Sequence, residues 1–289
     1  MKFGPIPVAS AEGAILAHSL RLPGGRLRKG VPLNPAHLER LRAAGIDAVV
    51  AARLEPGDVH EDAAAEHLAL AIKDGARGIH LTRPLTGRVN LIADGPGVVD
   101  LDADRITRAN AVDPMITIAT VPRYHQVRRG GMIATLKIIS YAVPGAALTR
   151  AADLARGALR LAVPAYRSAS LIVTDIPGGP GLKGVAAIEA RLTGLGLTLC
   201  ESLSCPHDEE PLARALAGAA GEVVLVLTAS ATSDIRDTAP AALRHAGGQL
   251  IRFGIPVDPG NLLFLGDLGD KPVIGLPGSA RSPVLHGAD

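Results

Sequence analysis

The chain has 289 residues, 47% of them apolar and 20% charged, which is a globular composition long enough for one large domain or two ordinary ones. Aromatic residues make up only 2%, with no Trp, and the formal net charge is +2, so base-stacking platforms and a general electrostatic grip on nucleic acid are excluded. Two Cys give no disulfide framework, and no apolar run approaches membrane length.

The opening "MKFGPIPVASAEGAILAHSL" holds one Lys and no continuous apolar core, so a signal peptide is not expected. A cytoplasmic protein with no nucleic-acid or membrane partner follows, and a homo-oligomer stays open. Up to about Val163 the segments are short and punctuated by Gly and Pro. Leu22–Gly30 reads as strand turns. Asn34–Leu54 reads as a helix ending at Gly45 and then a strand, with Asn34 as N-cap and Pro35 at the first helical position. Asp58 and Glu61 have capping-box spacing and predict a helix reaching about Ile72. Thr86–Leu101 alternates and turns at Gly95–Gly97. Gly130–Val143 reads as one long strand. This half is predicted to be a β-rich α+β module over residues 1–165.

From Ser168 the rhythm becomes strand, helix, strand. Ala169–Asp175 is a buried strand, and Leu182, Val185, Ile188, Leu192 and Leu195 recur at helical spacing. Leu197–Ser204 is a strand, a helix follows from about Glu209 to Ala219, and Glu222–Thr228 is a strand. Asp237 caps a helix ending at Gly247–Gly248. Gln249–Val257 is a strand, and two more flank Gly269–Asp270, a hairpin signal. Alternating βα units over residues 166–289 predict an α/β domain whose mostly parallel sheet is covered on both faces.

In such sheets ligands bind beyond the carboxyl ends of the strands. Three such ends are rich in small residues: "IPGGPGLKG" after Asp175, "TASATSDIRD" after Leu227 and "PGSARSP" after Leu276. The first contains Gly179-x-Gly181-x-x-Gly184, with Glu201 at about the distance of a ribose-binding acid, so an NAD- or FAD-dependent oxidoreductase is one reading. A plain glycine-rich βα loop is the other. Lys183 would suit a phosphate, yet no Ser or Thr follows it as in a P-loop. The second loop offers Thr228, Ser230, Thr232 and Ser233 to an anion. Its Asp234 and Asp237 stand three residues apart, a spacing that can hold Mg²⁺ through water; on spacing alone capping is the favoured reading for Asp237, and Asp234 stays open. Cys200, Cys205 and His207 lack a second ligand pair for a metal. His60, Glu61, Glu66 and His67 read as a solvated helical face. Arg123–Arg129 reads as a charged loop.

These residues together resemble a known family. The order of "TASATSDIRD" (Thr228–Asp237), "PGN" (Pro259–Asn261) and "GLPGSA" (Gly275–Ala280) is similar to the loops of molybdopterin-binding domains, which include the molybdenum-insertion enzymes and the gephyrin E domain. "GRVNL", "GGMIATLKII", "CPHDE" and "GLPGSARSP" resemble a bacterial subgroup of that family, often fused to a nucleotidyltransferase domain. The resemblance implies a three-layer αβα domain that binds molybdopterin, its nucleotide form or the molybdenum cofactor during synthesis, maturation or delivery. It implies a site lined by Thr228, Ser230, Thr232, Asp234 and Asp237. Pro259, Gly260, Gly278, Ser279, Arg281 and Lys183 stand at the pterin or its phosphate, and Mg²⁺ stands at Asp237. Asp234 and Asp237 are the catalytic candidates if the chain is a cofactor-biosynthesis transferase. A non-catalytic carrier, partnered by a molybdoenzyme or a nucleotidyltransferase, is the alternative. The sequence departs from the family where its double glycine is Ala229–Ser230 and where its "GNP" ends in Ser279–Ala280. The helix that follows "GLPG" in the family is expected to be missing.

Overall fold

The computed structural model describes residues 1–285 and 287. The chain is mixed α/β, with several separate sheets and, among the described residues, seven α-helices. It divides into two compact units, Met1–Val163 and Pro164–Asp289.

The first unit holds fourteen strands and four helices: β1 (Lys2–Pro7), β2 (Ile15–Leu16), β3 (Leu20–Leu22), β4 (Gly25–Leu27), α1 (Pro35–Ala43), β5 (Ala48–Arg53), β6 (Asp58–His60), α2 (Glu61–Lys73), β7 (Ile79–Leu81), β8 (Arg88–Ala93), β9 (Gly97–Leu101), α3 (Ala103–Asn110), β10 (Ile116–Thr120), β11 (Gln126–Val127), β12 (Met132–Ile138), β13 (Ala142–Pro144), α4 (Gly145–Ala155) and β14 (Leu159–Ala162). Every strand pair in it is antiparallel. Its apolar residues form two cores. A small one, from Val8 to Ala51, is closed by β1, β2, β5 and α1. A larger one, from Ala64 to Leu161, packs α2, α3 and α4 on the sheet β10-β12-β8-β7 and on β9 and β14.

Local chemistry sets α1. The Asn34 side chain accepts from the His37 N–H at 2.9 Å, and Pro35 fills the first helical position. The expected capping box at Asp58 does not form. Asp58 lies in β6, and its carboxylate accepts instead from the Glu55 N–H at 2.7 Å. The cap of α2 is His60, whose Nδ1 accepts from the Asp62 N–H. The long strand expected over Gly130–Val143 is two: β12 pairs with β8 and β10, while β13 turns away to pair with β6.

The second unit is built from β15 (Ser168–Asp175), α5 (Val185–Gly194), β16 (Thr198–Pro206), α6 (Glu209–Gly218), β17 (Val223–Leu227), α7 (Thr238–His245), β18 (Gln249–Phe253), β19 (Phe264–Leu268) and β20 (Lys271–Leu276). The sheet order is β16-β15-β17-β20-β19-β18. The first four strands are parallel, while β19 runs antiparallel to both its neighbours, so the sheet is mixed. Side chains alternate across it. Ala169, Leu171, Val173, Leu225 and Leu227 meet Ile188 and Leu192 of α5. Ile172, Val224, Val226 and Val273 meet Leu212 and Leu216 of α6 and Ala242 and Leu243 of α7 on the other face. Each such fully buried Val or Leu contributes about 1.5–3 kcal/mol.

The helix expected from Leu182 starts three residues later. Gly184 takes the left-handed conformation there, φ +98°, and leaves Leu182 outside the helix and exposed. After β20 a 3₁₀ turn spans Gly278–Arg281. No α-helix follows it through Leu285; His286, Ala288 and Asp289 lie outside the described residues.

Candidate functional site

Because β15, β16, β17 and β20 are parallel, their carboxyl ends share one edge. β18 is antiparallel to β19, which is antiparallel to β20, so the end of β18 lies at that edge too. The segments Ile176–Gly184, His207–Asp208, Thr228–Asp237, Gly254–Leu263 and Pro277–Arg281 therefore converge there.

The loop after β17 is held by its own hydroxyls. Thr228, 7% exposed, donates from Oγ1 to the Ser230 carbonyl at 2.6 Å and lies 3.4 Å from the hydroxyl of Thr232, itself buried. Ser230 is exposed, and its Oγ lies 2.9 Å from His207 Nε2. The other nitrogen of that ring, Nδ1, lies 2.8 Å from the hydroxyl of fully buried Thr174, which also accepts from the Ala229 N–H at 2.9 Å. The His207 N–H is tied to the Asp175 carbonyl at 2.9 Å, which fixes the imidazole just past the strand end.

Arg281 lies among the loops. Its guanidinium donates to the carbonyls of Lys183 at 2.5 Å, Gly181 at 3.4 Å and Thr228 at 2.9 Å. Burial pushes it below its ordinary value, and the Asp175 carboxylate opposes the shift. The 3₁₀ turn comes so close to the first glycine loop that a Cβ on Gly184 would stand 2.7 Å from the Arg281 Cα. In the same turn the Ser279 Oγ is shut off from solvent with no hydrogen-bond partner among the described residues.

The expected carboxylate pair does not form as a pair. Both oxygens of Asp237 accept backbone N–H groups, from Ser233 at 3.0 Å and Thr238 at 2.8 Å, the second as the cap of α7. Asp234 turns to Arg236, at 3.0 Å from its Nε, and that guanidinium holds the carboxyl below its usual range. Among the described residues no group of three or more His, Cys, Asp or Glu could hold a metal ion. Nothing among the described residues supports the Mg²⁺ expected at Asp237.

Lys183 is exposed, and its carbonyl accepts from Arg281. Pro259 and Gly260 sit in the β18–β19 loop. No hydrogen bond among the described residues joins them to the Thr228–Asp237 loop; the Gly260 carbonyl accepts from Leu263. Gly278 opens the 3₁₀ turn.

The dinucleotide reading loses its acid. Glu201 accepts from the Ser170 hydroxyl at 2.5 Å and from the Ala220 N–H at 2.6 Å, both near the amino edge of the sheet. Pro206 lies five positions further along β16, about 16 Å of strand. The set Cys200, Cys205 and His207 is likewise spread along β16. Cys200 lies at the bulge near the amino edge, and burial raises the Cys205 thiol. In the first unit, Glu66 and His67 are solvated as expected, but Glu61 is buried 3.5 Å from Lys137 Nζ. The Arg123–Arg129 segment, expected to be a charged loop, contains β11 and buries Val127 in the larger core, while its Arg123 pairs with Asp100 at the surface.

Sequence reasoning missed Thr174 and the role of His207. Position was the available signal: each stands within one residue of the carboxyl end of its strand.

A sequence model described as a domain of unknown function (DUF8806) matches residues 5–53, the region of the small core. No curated protein matches. Among solved structures, a molybdopterin biosynthesis MoeA protein from Pyrococcus horikosii is 14% identical, with 96% of this chain and 70% of that chain covered, at a TM-score of 0.31. A molybdenum cofactor biosynthesis protein from Pyrococcus furiosus is 12% identical, with 97% and 59% covered, at 0.26. The protein CinA from Thermoplasma acidophilum is 17% identical, with 40% and 90% covered, at 0.27. TM-scores this low do not fix a fold. No helix among the described residues is long and apolar enough to cross a membrane.

Proposed function

We propose that the second unit is an αβα pterin-binding domain. It takes a phosphorylated pterin of the molybdopterin kind at the carboxyl edge of its sheet, for cofactor synthesis, maturation or delivery. One observation carries the reading: the three loops that resemble the family, 228–237, 259–261 and 275–280, leave the strands at the same edge. The donor chemistry at that edge suits an anion with several acceptor oxygens. The hydroxyls of Ser230 and Thr232 and the enclosed, unpartnered Ser279 Oγ are the residues that would hold it. Thr228 and Arg281 act one step back, fixing the loops rather than the ligand. Both carboxylates of the 228–237 loop are already engaged, so the reading is of binding and orientation, with no metal-dependent step assigned to this chain.

The test is mass spectrometry of small molecules released from the full chain purified without oxygen, followed by titration with the released compound and with NAD. A phosphopterin that binds more tightly than NAD is the expected result. NAD binding of equal strength would overturn the reading.

A further inference from the structure

We infer that Thr174 and His207 set the direction of hydrogen bonding in the site, so that Ser230 is a hydrogen-bond donor to the ligand and not a nucleophile. The assignment starts from Thr174. Its hydroxyl is fully buried, accepts from the Ala229 N–H at 2.9 Å, and meets His207 Nδ1 at 2.8 Å. A threonine hydroxyl owns one proton. If Nδ1 carried the imidazole proton, Thr174 would accept both bonds, and its own buried proton would face no acceptor among the described residues. An unpaired buried donor disfavours that arrangement by roughly tenfold or more in population. Thr174 therefore donates to Nδ1, and the neutral ring carries its proton on Nε2.

The consequence reaches Ser230. His207 Nε2–H points at the Ser230 Oγ, 2.9 Å away, so the serine oxygen accepts. Its own proton has no acceptor among the described residues, and the side chain is exposed at the sheet edge. The Ser230 backbone is fixed by the Thr228 hydroxyl on its carbonyl. The relay Thr174 to His207 to Ser230 thus ends in one O–H aimed outward, suited to an acceptor oxygen such as a phosphate ester or a pterin carbonyl. A ring already protonated on Nε2 cannot take a proton from Ser230, which separates this array from a serine–histidine nucleophile. Thr174 and His207 are positioning residues. Only the identity of the ligand rests on the phosphopterin reading above.

The first measurement needs no ligand. In the full chain labelled with ¹⁵N-histidine, the signals lost in His207→Gln identify His207, and their pattern at neutral pH reports which nitrogen is protonated. Protonation on Nε2 alone is expected; a ring protonated on Nδ1 overturns the relay. A serine-directed fluorophosphonate should leave Ser230 unlabelled, and labelling there overturns the donor assignment. The second measurement titrates the fluorescent oxidised phosphopterin and its dephospho form. Ser230→Ala should weaken the phosphorylated compound about fivefold, the size of one neutral hydrogen bond. His207→Ala should do the same, and the double variant should lose no more than either. His207→Gln, whose amide N–H reaches to about the same place, should stay within twofold of wild type. A Gln variant as weak as the Ala variant removes the donor role. A loss of the same size for the dephospho form moves the contact from the phosphate to the ring. If wild type binds neither compound, the phosphopterin reading fails while the tautomer still decides the relay.

Discussion

The two units place their buried polar groups differently. In the first, Glu61 is the one charged residue buried as a whole among the described residues, and its surroundings close on themselves. Lys137 lies 3.5 Å from it and also donates to the Thr86 carbonyl at 2.5 Å. The Gly87 N–H donates to Asp62 at 2.6 Å, and a Cβ on Gly87 would stand 2.6 Å from the Glu61 carboxylate. The side chains of that cluster engage one another and backbone groups. In the second unit the buried polar residues among the described ones all carry hydroxyls, Ser170, Thr174, Thr228 and Thr232, and three of the four gather at the carboxyl edge. Their bonds lead outward to exposed Ser230. A closed cluster serves the fold alone; an open one spends buried hydrogen bonds on orienting a group that faces solvent.

The largest expected effect breaks the seat of the open cluster. At Gly184 a side chain meets both a left-handed φ and the Arg281 backbone at 2.7 Å. Gly184→Ala should destabilise the second unit by about 3 kcal/mol and abolish ligand binding, with the first unit unchanged. Denaturant titration of the full chain, read by hydrogen exchange in each unit, checks it. A loss shared by both units would show that the clash is not local.

Next comes Arg281→Ala. The guanidinium ties the carbonyls of Gly181, Lys183 and Thr228, so its removal should cost about 2 kcal/mol and loosen two loops at once. Affinity should fall alike for a phosphopterin and its dephospho form. A loss confined to the phosphorylated compound would mean that Arg281 reaches the phosphate itself, as the sequence alone suggests.

The closed cluster has its own signature in pH. Burial raises the Glu61 carboxyl, with Lys137 opposing. The folded state then holds this proton more tightly than the unfolded chain. Its contribution to stability is full below the ordinary glutamate range and is lost as pH rises through the raised value. Glu61→Gln should flatten that fall, measured as the pH dependence of denaturation midpoints. A variant with the wild-type pH profile would mean that Lys137 offsets the burial.

Much of this was legible where the cause is local. The Asn34–Pro35 start, the hairpin at Gly269–Asp270 and the cap at Asp237 each depend on residues within a turn of one another, and all three form. The sequence misleads where a partner comes from far along the chain. Arg281 looks like a free fork of donors, yet its acceptors lie 53 to 100 residues away. His207 reads as half of an incomplete metal set with Cys200 and Cys205, because spacing cannot show that Thr174 and Ser230 flank its ring. Asp58 and Glu61 have the spacing of a capping box, but β6 pairs with β13, more than eighty residues on, and keeps Asp58 extended.

The smallest expected effect tests Asp237, a cap on spacing alone and a metal ligand by the resemblance. A carboxylate that holds a divalent ion through water needs free oxygen lone pairs and a second acidic neighbour. Asp237 already accepts on both oxygens, from the Thr238 N–H and the Ser233 N–H, and its acidic neighbour Asp234 is turned to Arg236. Its work is to start α7, which packs Ala242 and Leu243 on the sheet and so sets where the loop ends. Loss of a cap costs about 1 kcal/mol, so Asp237→Ala should lower stability by that much. Phosphopterin affinity should stay within twofold, with and without added Mg²⁺. Asp237→Asn, whose carbonyl oxygen can still accept at the helix start, should recover most of the stability. A variant that keeps its stability but loses affinity only when Mg²⁺ is present would return the metal to this loop, and the open edge of the second unit would then carry charge as well as direction.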